Sequence, residues 1–67
     1  MKMLIYDENN KLTSEYTDKE YINRMLLYYF INKEVYNLYK CKVNICGDII
    51  FTDKNNNYKI KFRGVDI

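Results

Sequence analysis

Between Tyr21 and Phe30 the apolar residues recur at helical spacing, and from Tyr39 onward they alternate with Lys and Asn. That change of period constrains the fold more than any other feature. A period of 3.6 residues lays Ile22, Met25, Leu26 and Tyr29 along one side of a helix, while a period of two gives a strand with two unlike faces. One helix flanked by strands predicts an α+β domain.

The helix is expected over residues 18–33. Thr17-Asp18-Lys19-Glu20 fits a capping box, in which Thr17 accepts from the third amide and Glu20 reaches back. Its end is ambiguous: Val35, Tyr36 and Tyr39 would also suit a helix running to Lys40. Before it, Lys2 to Tyr6 reads as a short strand, Asp7-Glu8-Asn9-Asn10 as a turn and Leu12 to Tyr16 as a weak returning strand. After it, Tyr39 to Ile45, Ile49 to Thr52 and Tyr58 to Arg63 read as a three-stranded meander. Its first turn is a two-residue Gly47-Asp48 hairpin, and its second is the loop Asp53 to Asn57. The expected architecture is a single domain over residues 1–67, with one helix packed on a small antiparallel sheet in the order β(β)-α-β-β-β.

The expected turns fix a register, and the register assigns faces, because directly opposed residues share a side of the sheet. A two-residue turn at Gly47-Asp48 opposes Val43 to Thr52, Ile45 to Ile50 and Asn44 to Phe51. The second loop then opposes Thr52 to Tyr58, Ile50 to Ile60, Phe51 to Lys59 and Ile49 to Lys61. On this reading Cys41, Val43, Ile45, Ile50, Thr52, Tyr58, Ile60 and Phe62 face the helix. The other face carries Lys40, Lys42, Lys59, Lys61 and Arg63 around Ile49 and Phe51. Charge by halves agrees: residues 1–39 hold five basic and six acidic residues, whereas residues 40–67 hold six basic and three acidic.

Two surfaces emerge as candidate partner-binding sites. One is the basic face with Lys42, Phe51, Lys59, Lys61 and Arg63, suited to an acidic protein or, by phosphate neutralisation and base stacking, to nucleic acid. The same lysines also suit a merely solvated surface, their methylenes covering neighbouring apolar groups. The second is the helix side opposite Ile22 and Leu26, where Leu27 and Ile31 are one turn apart beside Arg24 and Tyr28. A helix apolar on two sides is covered twice or meets a partner. The cover could come from the N-terminal hairpin, a second copy in a homodimer, or a foreign protein. Tyr21, Tyr28, Tyr29, Tyr36 and Tyr39 add a cluster of a residue type enriched at interfaces.

Catalysis is not expected. The chain has no His to act as a base near neutral pH, and its one Ser, Ser14, has no evident activating partner. No phosphate-binding glycine motif is present. Two Cys without His fall short of a zinc ligand set, and no cofactor is implied. Cys41 and Cys46, placed on one strand, point to opposite faces and lie too far apart for a disulfide.

The longest apolar run, Met25 to Ile31, is far short of a membrane span, and only four apolar residues follow Lys2 before Asp7. A cytoplasmic protein is therefore expected. Phe, Tyr, Met, Ile, Asn and Lys make up 40 of 67 residues, as in low-GC coding. Small size and this composition are common among accessory proteins of phages and other mobile elements. The expected function is that of a small regulator or inhibitor acting by protein–protein contact; the alternative is a nucleic-acid-binding module that uses the basic sheet face.

Overall fold

The computed structural model describes residues 1–64, Tyr36 by its place in a helix alone. Among these residues lie β1 (Lys2–Tyr6), β2 (Leu12–Tyr16), α1 (Lys19–Ile31), α2 (Lys33–Leu38), β3 (Lys40–Val43), β4 (Ile49–Thr52) and β5 (Tyr58–Arg63). The strands form one sheet in the order β2-β1-β5-β4-β3, with every neighbouring pair antiparallel. The expected α+β architecture is present, with β5 closing the meander onto β1.

All three hairpins turn on one backbone device. In each, the first residue is Asp or Asn and the fourth has positive φ: Asn10 at 60°, Gly47 at 83° and Asn56 at 64°. The fourth amide donates to the first carbonyl (Asn10 to Asp7, Gly47 to Asn44, Asn56 to Asp53), and the first amide donates to the fifth carbonyl. This is a type I turn closed by a left-handed residue, which makes a three-residue loop. The leading side chain locks it: Asp7 Oδ1 accepts from Asn9 and Lys11, Asp53 Oδ1 from Asn55 and Asn57, and Asn44 Oδ1 from Asp48.

The second of these loops corrects the expected register. Asn44 and Asp48 close the turn, so Val43 opposes Ile49, Lys42 opposes Ile50 and Cys41 opposes Phe51. Each β3 residue therefore meets a β4 partner three residues earlier than expected, an odd displacement that reverses the faces of β4. Across the next hairpin Thr52 opposes Tyr58 as expected. A bulge then leaves Lys59 without a partner on β4, and Phe51 opposes Ile60, Ile50 opposes Lys61 and Ile49 opposes Phe62. Both displacements are odd, so β3 and, from Ile60 onward, β5 keep their expected faces, while β4 is turned over. Tyr58, ahead of the bulge and opposite Thr52, lies on the face away from α1 rather than toward the helix as expected.

Turning β4 brings Ile49 and Phe51 inward with Met3, Ile60 and Phe62, against Ile22 and Tyr29 of α1; all are buried. Met25 and Leu26 pack around them, as the helical stripe predicted, and Val35 and Tyr39 join them from α2 and its C-terminal end. Tyr29 is the hub of this layer, its ring centroid 4.9 Å from that of Phe51 and 6.0 Å from that of Tyr39. Offset and edge contacts of this kind add to the area they bury. By contrast Ile45, assigned to the core by the shorter turn, stands fully in solvent within the loop.

Helix boundaries also differ from expectation. Thr17 does not cap α1: the N-cap is Asp18, whose side chain makes no capping bond. The chain passes from β2 into α1 with the Tyr16 and Tyr21 rings 5.1 Å apart across the junction. At the other end Asn32 adopts extended geometry and stops α1 at Ile31. Its Oδ1 then accepts from the amides of Glu34 and Val35, starting α2. The stretch to Leu38 is thus helical after a break, and neither an end at Lys33 nor an unbroken helix to Lys40 describes it.

Candidate interaction surfaces

The outer side of α1 gathers four of the residues singled out in the sequence. Arg24, Leu27, Tyr28 and Ile31, with Asn32, line a shallow groove of about 360 Å³. Leu27 is 58% exposed and Ile31 73%, values that leave most of two aliphatic side chains in water. They sit there because α1 turns Ile22 and Tyr29 to the sheet and, among the described residues, no second layer lies outside it. The N-terminal hairpin, one of the expected covers, joins the sheet through β1 instead. The side chain of Tyr36 lies outside the description.

The second surface is the sheet face away from α1. Its middle row runs across all five strands as Glu15, Leu4, Lys61, Ile50 and Lys42. On the side of the Asn-rich turns, Tyr6 of β1 faces Leu12, and Tyr58, Thr52 and Lys40 continue across the sheet. On the opposite side Lys2 opposes Arg63. The Tyr6 and Tyr58 rings are 5.5 Å apart, and Lys61 Nζ lies 3.8 Å from the Tyr58 centroid and 5.0 Å from that of Tyr6. Ammonium over an aromatic face is an attractive geometry.

The basic face therefore exists with altered membership. Lys42, Lys61 and Arg63 lie on it as expected. Phe51 does not: it is fully buried against Tyr29, Phe30 and Phe62, because the turn at Asn44 reverses β4. Lys59 is exposed in the bulge and is not opposed to Phe51. Ile50, Thr52, Tyr6 and Tyr58 take the places assigned to Ile49 and Phe51. For Ile50 and Thr52 the signal was in the sequence: a turn begun by Asn44 and closed by Gly47 specifies the longer loop.

Electrostatics divides the cations of this face. Lys2 pairs with Glu15 at 3.2 Å, and Arg63 approaches Asp48 at 3.8 Å. Cys41 is half-buried on β3, and burial pushes its thiol pKa up, which disfavours the thiolate. Cys46 is exposed in the turn rather than on a strand, a correction to the earlier placement, and both thiols are free. Among the described residues no helix is long and apolar enough to cross a membrane. Comparison with protein-family models, curated proteins and solved structures finds no match to this chain.

Proposed function

We propose that this chain is a small non-enzymatic binding protein that acts by protein–protein contact through the outer side of α1. On this reading it is a cytoplasmic regulator or inhibitor carried by a phage or another mobile element of a low-GC bacterium. The supporting observation is the exposed Leu27–Ile31 pair in a groove with Arg24. Exposed aliphatic pairs flanked by a cation suit a partner that offers an apolar side chain and a carboxylate for Arg24. Covering one such aliphatic side chain is worth on the order of 1.5–3 kcal/mol.

The test compares wild type with Leu27→Asp combined with Ile31→Asp. Neither side chain belongs to the core, so the fold is retained, as circular dichroism will show. Affinity capture from a low-GC bacterial lysate should recover a protein with wild type and lose it with the variant, by roughly 100-fold or more in affinity. Equal capture by both refutes the reading. Sedimentation separates the homodimer: a wild type of twice 8.2 kDa with a monomeric variant would mean that a second copy covers the groove.

A further inference from the structure

The sheet face away from α1 differs in chemistry from the α1 groove. Beside the ion-paired Lys2 and Arg63, this face carries Lys40, Lys42 and Lys61, none of which has a carboxylate within 4.0 Å among the described residues. Lys40 and Lys42 flank a groove of about 640 Å³ whose other lining includes Ile50, Thr52 and Tyr58 and no acidic side chain. Cations without local partners beside an aromatic ring are complementary to a ligand that is anionic and flat at once. An acidic peptide would meet the charge and leave the Tyr6–Tyr58 pair unused.

We infer that this face binds single-stranded nucleic acid, with phosphates on Lys40 and Lys42 and a base on Tyr58. The chemistry fits each part. Sheet faces recognise single strands by stacking splayed bases on aromatic side chains while cations follow the backbone. Lys61 Nζ covers one face of the Tyr58 ring at 3.8 Å from its centroid, so the base stacks on the other face, with a third positive charge close by for its phosphate. Ile50, opposed to both Lys61 and Lys42, gives the apolar floor between them. The inference does not depend on the α1 groove, which lies on the other side of the sheet.

The experiment is fluorescence anisotropy of a labelled oligo(dT) of about a dozen nucleotides, within the usual site size for such surfaces. Wild type should bind at low salt, with log affinity falling against log salt with a slope near −2, as about three phosphate contacts require. Lys40→Glu with Lys42→Glu should weaken binding by at least about tenfold. Lys19→Glu with Lys33→Glu, the same charge change on the exposed helical side, should cost far less. Tyr58→Ala should lose roughly fivefold or more with the salt slope unchanged, and Tyr58→Phe should keep the affinity.

Several results would overturn the inference. They are absence of binding at the lowest salt, equal losses for the two lysine pairs, and full affinity in a folded Tyr58→Ala protein. Displacement by polyglutamate as effective as by unlabelled oligo(dT) would reassign the face to acidic peptides. Leu27→Asp with Ile31→Asp must bind the oligonucleotide like wild type, so the two surfaces fail or stand separately.

Discussion

Asn10 and Asn57 are 47 residues apart in the chain and meet side chain to side chain, Asn10 Nδ2 donating to Asn57 Oδ1 at 3.2 Å. Asn10 Oδ1 also accepts from the Tyr58 amide at 2.7 Å. One residue thus has two tasks. Its backbone takes the left-handed conformation that closes the first hairpin, and its side chain ties that hairpin to the third, beside Tyr58.

A matched pair of substitutions separates the tasks. Asn56 has the same left-handed role in the third hairpin without such a bridge among the described residues. Glycine suits positive φ, so Asn56→Gly should change stability by less than about 0.5 kcal/mol. Asn10→Gly keeps the turn and removes the bridge, costing about 1 kcal/mol, or several degrees in Tm for a domain of this size. Equal Tm values for the two variants would show that the bridge contributes nothing.

The reversal of β4 makes its own prediction. Phe51 is fully buried and Ile50 lies on the open face. Phe51→Ala should cost about 3–5 kcal/mol. That is close to the whole stability of a small domain, so the variant should lose its cooperative unfolding transition. Ile50→Thr, on the uncovered side, should cost less than about 1.5 kcal/mol and keep a sharp transition. Urea unfolding of the two variants gives the ranking; a reversed order would restore the register of a two-residue Gly47-Asp48 turn.

What was legible in the sequence follows from which signals are local. Tyr58 to Arg63 alternates cleanly, so its bounds and its inward Ile60 and Phe62 could be read directly. The helical stripe gave Ile22, Met25, Leu26 and Tyr29 in the same way. β4 was different, because Ile49-Ile50-Phe51 are all apolar and no alternation says which one faces in. Only the loop before it decides, and that information sits in Asn44 and Gly47, the first and fourth residues of a pattern repeated at Asp7/Asn10 and Asp53/Asn56. The bulges at Thr13 and Lys59 and the pairing of β5 with β1 have no local signature at all. Of the candidate surfaces, the α1 groove could be read because it depends on helical spacing alone. The aromatic part of the sheet face could not, since Tyr6 joins Tyr58 only through the β1–β5 pairing.

Asn32 ends one helix and starts another, and its side chain supplies both bonds that cap α2. Asn32→Ala should cost about 1 kcal/mol, whereas Asn32→Asp should preserve the cap. The loss is local: amide exchange at Glu34 and Val35 should accelerate while Ile22 stays protected. Uniform acceleration along α1 would mean that the two helices melt as one unit and that the break is not an independent boundary.

Tyr29 gives a pH prediction of definite sign. Burial, with smaller contributions from Tyr39 and Tyr28, pushes its phenol from 10.0 up to about 12. The folded protein therefore holds a proton that the unfolded chain releases above about pH 10. Stability should be insensitive to this group below that pH and fall as pH rises from about 10 to about 12, by no more than roughly 3 kcal/mol. Denaturant midpoints measured across that window should decline for wild type. Tyr29→Phe keeps the ring against Phe51 and removes the titrating hydroxyl, so its midpoints should decline less steeply. Parallel declines in the two proteins would place the source of alkaline instability outside the aromatic layer between α1 and the sheet.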